Sequence, residues 1–237
     1  MKRPAVAGRS PLNPMTKTSS ETRVARILLV DDHPIVRDGL SQLIAGVSDL
    51  EVCGEAADGP EALHLIEQTS PDVVVTDISL EHGSGLELIK QVKALERDIK
   101  MLVWSMHEDS LYAERALQAG ALGYINKEQP SAEVLQAIRQ VLQGRIYVSP
   151  HMADRILRRA ADGTQELDQP AVGDLSDREL EVFSLIGKGL TTRQIATKMY
   201  LSPKTIETHR ENIKKKLKLK SGNELIRHAV QWDLEQH

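Results

Sequence analysis

Residues 27–34 read Ile-Leu-Leu-Val-Asp-Asp-His-Pro. Four apolar residues run without a polar break and stop at two carboxylates. An unbroken apolar run this short suits a strand buried on both faces. It has companions farther along: Val52 with its neighbours, Val73-Val-Val75, Met101-Leu-Val-Trp104 and Leu122-Gly-Tyr-Ile125. Between these runs the spacing predicts amphipathic helices over 35–45, 60–68, 85–95, 110–118 and 131–143. Strands alternating with helices argue for a parallel sheet covered on both faces. Residues 26–145 are therefore expected to form a small α/β doubly wound domain with a five-stranded parallel sheet, of the flavodoxin-like kind.

The 237-residue length suits two domains. With 41% hydrophobic but only 3% aromatic residues, the cores must be aliphatic. The single cysteine, Cys53, excludes an internal disulfide framework and fits a reducing cytosol, so a cytoplasmic protein is expected. No apolar run approaches the roughly 20 residues of a membrane span. Residues 1–25 are rich in Ser, Thr and Pro, carry Lys2, Arg3, Arg9, Lys17 and Arg23, and lack the apolar stretch of a signal peptide; they read as a disordered leader. Charge is unevenly shared. Residues 26–145 hold 10 basic and 20 acidic side chains, a net of −10, whereas residues 173–237 hold 12 and 9, a net of +3. A basic segment beside an acidic one points to a nucleic-acid partner for the former.

After residue 173 strand signals vanish and helix starts take over. Ser176-Asp-Arg-Glu179, Thr191-Thr-Arg-Gln194 and Ser221-Gly-Asn-Glu224 fit the capping box, in which a hydroxyl and a Glu or Gln side chain exchange bonds with first-turn amides. Ser202-Pro203 sets a good N-cap before a proline at the first helical position. The helices are expected at about 176–187, 191–198, 202–217 and 221–231, an all-α four-helix domain over 173–237. Residues 149–159 look helical, and the polar stretch 162–173 reads as a linker, so 146–172 joins the two units.

Four features fall at the ends of expected strands: Asp31-Asp32, Asp77, Ser105 and Lys127. In an open parallel sheet, ligands bind outside the carboxyl ends of the strands, at the topological switch point. Residues far apart in sequence thus converge in one shallow pocket. Clustered carboxylates repel one another and need a cation. Oxygen-only ligands suit Mg²⁺, which bridges to phosphate and offsets its repulsion from an attacking carboxylate. Lys127 adds a second positive charge, and Ser105 a hydroxyl for a phosphoryl oxygen. An aspartyl phosphate is a known type of covalent intermediate.

The segments Ile27-Leu-Leu-Val-Asp-Asp-His-Pro, Pro71-Asp-Val-Val-Val-Thr-Asp77, Ser105 and Gly120-Ala-Leu-Gly-Tyr-Ile-Asn-Lys127 resemble the receiver domain of two-component response regulators. That resemblance implies that Asp77 accepts phosphate from a sensor histidine kinase. It implies Asp32 and Asp77 as direct Mg²⁺ ligands with the Ser79 carbonyl, and Asp31 acting mainly through water. Ser105 and Tyr124 become the switch pair, the hydroxyl moving to the phosphate and the aromatic rotating inward. Two departures stand out. The Met-Pro common after the acceptor is Leu80-Glu81 here, so the loop must be shaped without that proline. The cis-proline common after the lysine is Glu128, and a non-proline cis bond costs about 3–4 kcal/mol.

In the second half, two short helices joined by a tight turn make a helix-turn-helix candidate, with 191–198 as scaffold and 202–217 as recognition helix. Ile206, Ile213 and Leu217 form its core stripe. The other side carries Lys204, Glu207, Thr208, Glu211, Lys214, Lys215 and Lys218. Together with the Leu175-Ser-Asp-Arg-Glu-Leu-Glu-Val segment, this stretch resembles the LuxR-type domain of NarL/FixJ-class regulators. The resemblance implies base-facing Glu207, Thr208 and Glu211, and phosphate contacts from Lys204, Thr205, His209, Arg210, Lys214 and Lys215. Other members often carry lysine where this chain has glutamate. A glutamate can accept a bond from cytosine N4, worth about 1–3 kcal/mol of discrimination. Alternatively it pairs within the helix, Glu211 with Lys215 for example, worth about 0.2–0.5 kcal/mol.

The leading expectation is a transcription regulator whose phosphorylation controls homodimerisation and binding of double-stranded DNA, with Leu225, Ile226, Ala229 and Val230 of the last helix serving either as dimer face or as core. Its only chemistry would be self-phosphotransfer and autodephosphorylation. An aspartyl-phosphate enzyme would need a further base or a substrate pocket, and neither is evident; His107, near Ser105, is expected either to modulate dephosphorylation or simply to be exposed. A phosphate-regulated interaction module without DNA is disfavoured by the basic helical tail.

Overall fold

The computed structural model describes residues 23–80, 82–106, 110–150, 152–154, 157 and 172–236. The expected leader lies almost wholly outside these residues. So do His107, much of the helix expected over 149–159 and nearly all of the linker.

Strands β1 (Ala25–Val30), β2 (Leu50–Ala56), β3 (Val73–Thr76), β4 (Lys100–Ser105) and β5 (Gly123–Asn126) form one sheet in the order β2-β1-β3-β4-β5. Every pairing is parallel. The opening apolar run explains itself here. Ile27 and Leu29 join one core cluster with Leu40 and Ile44 of α1 (Pro34–Ala45) and Val134, Ile138 and Val141 of α5 (Ser131–Leu142). Leu28 and Val30 join the other, with Ile66 of α2 (Gly59–Thr69), Leu86 and Ile89 of α3 (Gly85–Ala94) and Ala113 and Ala116 of α4 (Ser110–Ala119). Successive side chains point to opposite faces. With helices on both, no position in the run tolerates a polar residue.

Beyond a short 3-10 turn at Val172–Asp174 come α6 (Asp177–Gly187), α7 (Thr192–Lys198), α8 (Pro203–Lys216) and α9 (Gly222–Gln236). Full capping boxes form at Ser176 with Glu179 and at Thr191 with Gln194. Ser202 caps α8 by accepting the Thr205 N–H at 3.1 Å. At Ser221 only half of the expected box is made. Its hydroxyl accepts the Glu224 N–H at 3.2 Å, but the Glu224 carboxylate accepts from the Lys220 N–H, one residue upstream. The chain's one phenylalanine, Phe183, is fully buried on α6 with its ring centroid 5.5 Å from that of Trp232 on α9.

The last helix resolves its two open readings by splitting them. Leu225 and Ala229 are core residues, while Ile226 and Val230 stay exposed and line up with exposed Leu234 at four-residue intervals.

Candidate functional site

The sheet order reverses between β1 and β3, and their carboxyl ends carry the acids. Backbone pairing continues past both strands: the Asp31 N–H donates to the Ala56 carbonyl at 3.1 Å and the Asp77 N–H to the Val30 carbonyl at 2.9 Å. Both carboxylates are thereby fixed at one sheet edge. Lys127 follows β5, where its N–H donates to the Ser105 carbonyl at 2.8 Å. Its side chain crosses β4, and its Nζ lies 2.5 Å from Asp31 Oδ2 and 2.6 Å from Asp77 Oδ2. Burial draws the Lys127 pKa down, but the charges of Asp77 and Asp31 outweigh it and hold the ammonium above its usual range. The Nζ also sits 5.6 Å over the Trp104 ring, a cation–π contact that the sequence reading missed.

Asp77 Oδ1 accepts the Ile78 N–H at 2.6 Å, and Asp31 Oδ1 accepts the His33 N–H at 2.9 Å. Asp32 is served differently. Its Oδ1 is buried without a hydrogen-bond donor, although His33 Nδ1 lies 2.6 Å away. Burial raises the Asp32 pKa; His33 opposes the rise, and the charges of Asp31 and Asp77 add to it. Two of the three carboxylates share Lys127, and an oxygen of the third, Asp32, is left without a donor. That donor set fits a hard divalent cation that prefers oxygen.

The loop after Asp77 closes without the Met-Pro pair. Ser79 and Ser84 bridge it in antiparallel fashion, the Gly85 N–H donates to the Ile78 carbonyl at 2.8 Å, and the Ser84 hydroxyl caps α3 through the Leu86 N–H. A Cβ on Gly85 would lie 1.9 Å from the Asp77 carbonyl oxygen, so only glycine lets α3 start this close to Asp77. Among the described residues no peptide bond is cis, that after Lys127 included.

Ser105 is buried at the end of β4 and Tyr124 is buried on β5. The sequence reading has the aromatic rotate inward on phosphorylation. Here the ring is already inside, in the same core cluster as Tyr112, Ala113 and Ala116 of α4, where apolar packing holds it.

On α8 the core stripe is as expected: Ile206, Ile213 and Leu217 are buried. Lys204, Glu207, Thr208, Glu211 and Lys215 are exposed, and Thr205, Arg210 and Lys214 are partly so. Glu207 accepts a bond from Thr192 Oγ1 of α7 at 2.7 Å and lies 3.8 Å from Arg210. Glu211 pairs with Lys214 at 2.8 Å, three residues on, rather than with Lys215. That bond, ahead of a small opposing burial effect, lowers its pKa. His209 is half-buried; burial depresses its pKa, with Glu179 opposing and Arg178 reinforcing. It therefore faces α6 more than the exposed side. Lys216, which the sequence reading passed over, ties α8 to α6 through Glu179 at 2.6 Å.

The sequence reading also missed how α6 meets the α/β unit. Asp177 bridges Lys90 of α3 at 2.8 Å and Arg115 of α4 at 2.9 Å. Burial disfavours its charge, but the bonds from these cations hold its pKa below the usual carboxylate range. Arg178 pairs with Glu181 at 2.9 Å and approaches Glu87 of α3 at 4.0 Å. Buried Glu181 hydrogen-bonds Ser79, two residues from Asp77; burial raises its pKa despite Arg178, and the Asp77 charge adds to the rise. His82 and Tyr200 stack edge to face at 5.6 Å. The only sequence signal for these contacts was the i,i+4 spacing of Asp177 and Glu181 on one face of a helix.

This architecture, a switch-point acid cluster followed by a helix-turn-helix, defines a phosphoacceptor-type regulator with a DNA-binding module. Residues 27–139 match the response regulator receiver domain, and residues 174–229 match the luxR family of bacterial regulatory proteins. The chain is 37% identical over 214 residues to the oxygen regulatory protein NreC of Staphylococcus carnosus, covering 88% of this chain and 98% of that one. It is 36% identical over 205 residues to the response regulator GacA of Pseudomonas aeruginosa, covering 86% and 95%. A LuxR-family response regulator structure from Aurantimonas superposes with a TM-score of 0.55 at 40% identity, covering 58% of this chain and 99% of that one. RcsB from Salmonella enterica, solved bound to promoter DNA, shares the fold with a TM-score of 0.59 at 23% identity, covering 87% and 98%. The chain belongs to the LuxR-type response regulators, and it is a transcription regulator built from a receiver and a helix-turn-helix domain. Among the described residues no helix is long and apolar enough to cross a membrane.

Proposed function

We propose that Asp77 is the phosphoacceptor through which a sensor histidine kinase controls DNA binding by this regulator in the cytoplasm. The observation that carries the reading is the convergence of Asp31, Asp32, Asp77 and Lys127 at the β1/β3 switch point. An Asp77 carboxylate oxygen attacks the phosphorus of a phosphohistidine; the P–N bond breaks and its electrons return to the imidazole. Mg²⁺ would be held by Asp32, Asp77 and the Ser79 carbonyl, with Asp31 acting through water, and when bound it supplies charge neutralisation for the incoming phosphoryl group. Lys127 holds a phosphoryl oxygen in place of one of its present carboxylate partners, and Ser105 offers a hydroxyl from β4. Ile35, 82% exposed on α1 beside the acids, gives a kinase an apolar point of contact. The same aspartyl phosphate is lost by autodephosphorylation, which is the chain's only proposed chemistry.

The receiver spans 26–145 and the DNA-binding domain 173–237. The α8 surface reads double-stranded DNA: Glu207, Thr208 and Glu211 face bases, while Lys204, Thr205, Arg210, Lys214 and Lys215 hold phosphates, and His209, turned toward α6, braces the helix from behind. Two copies pair through the exposed Ile226, Val230 and Leu234 stripe, gaining affinity on a symmetric site by linkage. The test is DNA selection and intact-mass measurement after treatment with an acyl phosphate and Mg²⁺, wild type beside Asp77→Asn. One added phosphoryl group and tighter DNA binding are expected in the wild type alone. Equal phosphorylation or equal DNA binding by both would overturn the reading.

A further inference from the structure

Away from the acid cluster, an open cleft of about 350 Å³ lies between α3, α4 and the start of α6. Lys90, Lys93, Arg115, Gln118, Ala119 and Asp177 line it, three cations against one carboxylate. Asp177 shows what the cleft accepts. Its two oxygens are held separately, one by Lys90 Nζ at 2.8 Å and one by Arg115 Nη1 at 2.9 Å. One guanidinium nitrogen and an ammonium converging on one oxyanion form a charge-assisted site that suits phosphate as well as carboxylate. Lys93 is the third cation. Its stem crosses Gly120, where an added Cβ would lie 2.6 Å from Lys93 Cδ, and no ion pair involves it among the described residues. At roughly 30 Å³ per liquid water, the cleft has room on the order of ten waters, more than one oxyanion needs.

We propose that this cleft binds a small anion bearing two linked phosphoryl groups. One group takes the place of the Asp177 carboxylate between Lys90 and Arg115, and the other reaches Lys93. The intramolecular carboxylate is thus a tethered competitor at high effective concentration. A ligand that displaces it frees the first turn of α6. It also draws Arg115 from the Gly173 and Leu175 carbonyls, which Arg115 Nη2 now holds at 3.0 and 2.6 Å. The cleft would give the regulator a chemical input independent of Asp77, because none of its lining residues belongs to the acid cluster.

Calorimetric titration of the full chain tests this, with inorganic pyrophosphate and a nucleoside diphosphate as probes and sulfate at matched ionic strength as control. Lys93→Met leaves the Asp177 bridge intact and should weaken pyrophosphate about tenfold, 1.4 kcal/mol. Asp177→Asn removes the competitor and should tighten it. Tighter binding of pyrophosphate or of the nucleoside diphosphate identifies the source of the linked phosphates, and either supports the site. Absence of binding in all three proteins, equal affinities across them, or sulfate matching pyrophosphate would overturn it. Melting curves without ligand establish that both variants are folded.

Discussion

Replacing Lys127 with methionine keeps the length of the side chain and deletes its charge. In the wild type that charge lies within 2.6 Å of two carboxylates, and all three side chains are only 6–7% exposed, so water screens them little. Removing one partner of a buried ion pair costs about 3–5 kcal/mol. At about 2–4 °C per kcal/mol for a chain of 150–250 residues, the metal-free protein should melt roughly 6–20 °C lower. Protonation of one carboxylate softens the loss toward the low end. Mg²⁺ should then raise the melting temperature of Lys127→Met more than that of the wild type, because in the variant nothing else neutralises the acids. The pH dependence has a definite sign. The folded pKa of Lys127 is raised, so its contribution is complete below the unfolded value and fades only as pH rises through the folded one. The gap between wild type and variant should therefore be flat across neutral pH and narrow in strongly alkaline buffer. Calorimetry with a chelator and with Mg²⁺ reads both effects. A variant as stable as the wild type without metal, or an equal response of the two to Mg²⁺, would refute the reasoning.

Gly85→Ala places a methyl 1.9 Å from the Asp77 carbonyl oxygen, which is backbone and cannot swing aside. A loss of about 1–3 kcal/mol is expected from overpacking, read as an earlier urea midpoint, together with slower phosphorylation of the displaced acceptor. Lys215→Ala should weaken binding to all duplexes alike and reduce the salt slope by about one. Glu211→Ala should instead change which sequences are selected, since it removes an acid from the exposed face; an unchanged selection would assign Glu211 to its 2.8 Å pairing with Lys214 alone. The folded pKa of His209 is depressed, so its stabilising neutral form is intact above the unfolded value and is lost as pH falls through the folded one. His209→Gln should flatten the decline in melting temperature of the DNA-binding domain on the acid side of pH 6.5.

The positions where local sequence and final structure agree are those whose physics is local. The capping boxes at Ser176 and Thr191, the proline opening α8 and the buried stripe of Ile206, Ile213 and Leu217 each depend on residues a turn or two apart. Ser221 shows the limit of even that. Glu224 has two backbone donors within reach, and the pattern alone does not choose between them. Glu211 had two lysines in reach, and helix geometry selected the nearer.

By itself, the sequence determined five strands with acids, a hydroxyl and a lysine at their ends, because unbroken apolar runs require burial on both faces and a parallel sheet gathers strand ends at one edge. Only the tertiary structure decided that Lys127 bridges Asp31 and Asp77 while Asp32 is left without a donor, because that depends on how far a side chain reaches across β4. It also decided that Tyr124 sits inside, which depends on how α4 packs. The contacts of Asp177, Glu181 and Tyr200 with the receiver were beyond reading from pattern. Each partner is tens of residues away on another unit, and a charged residue on a helix surface looks the same in sequence whether it faces water or another domain.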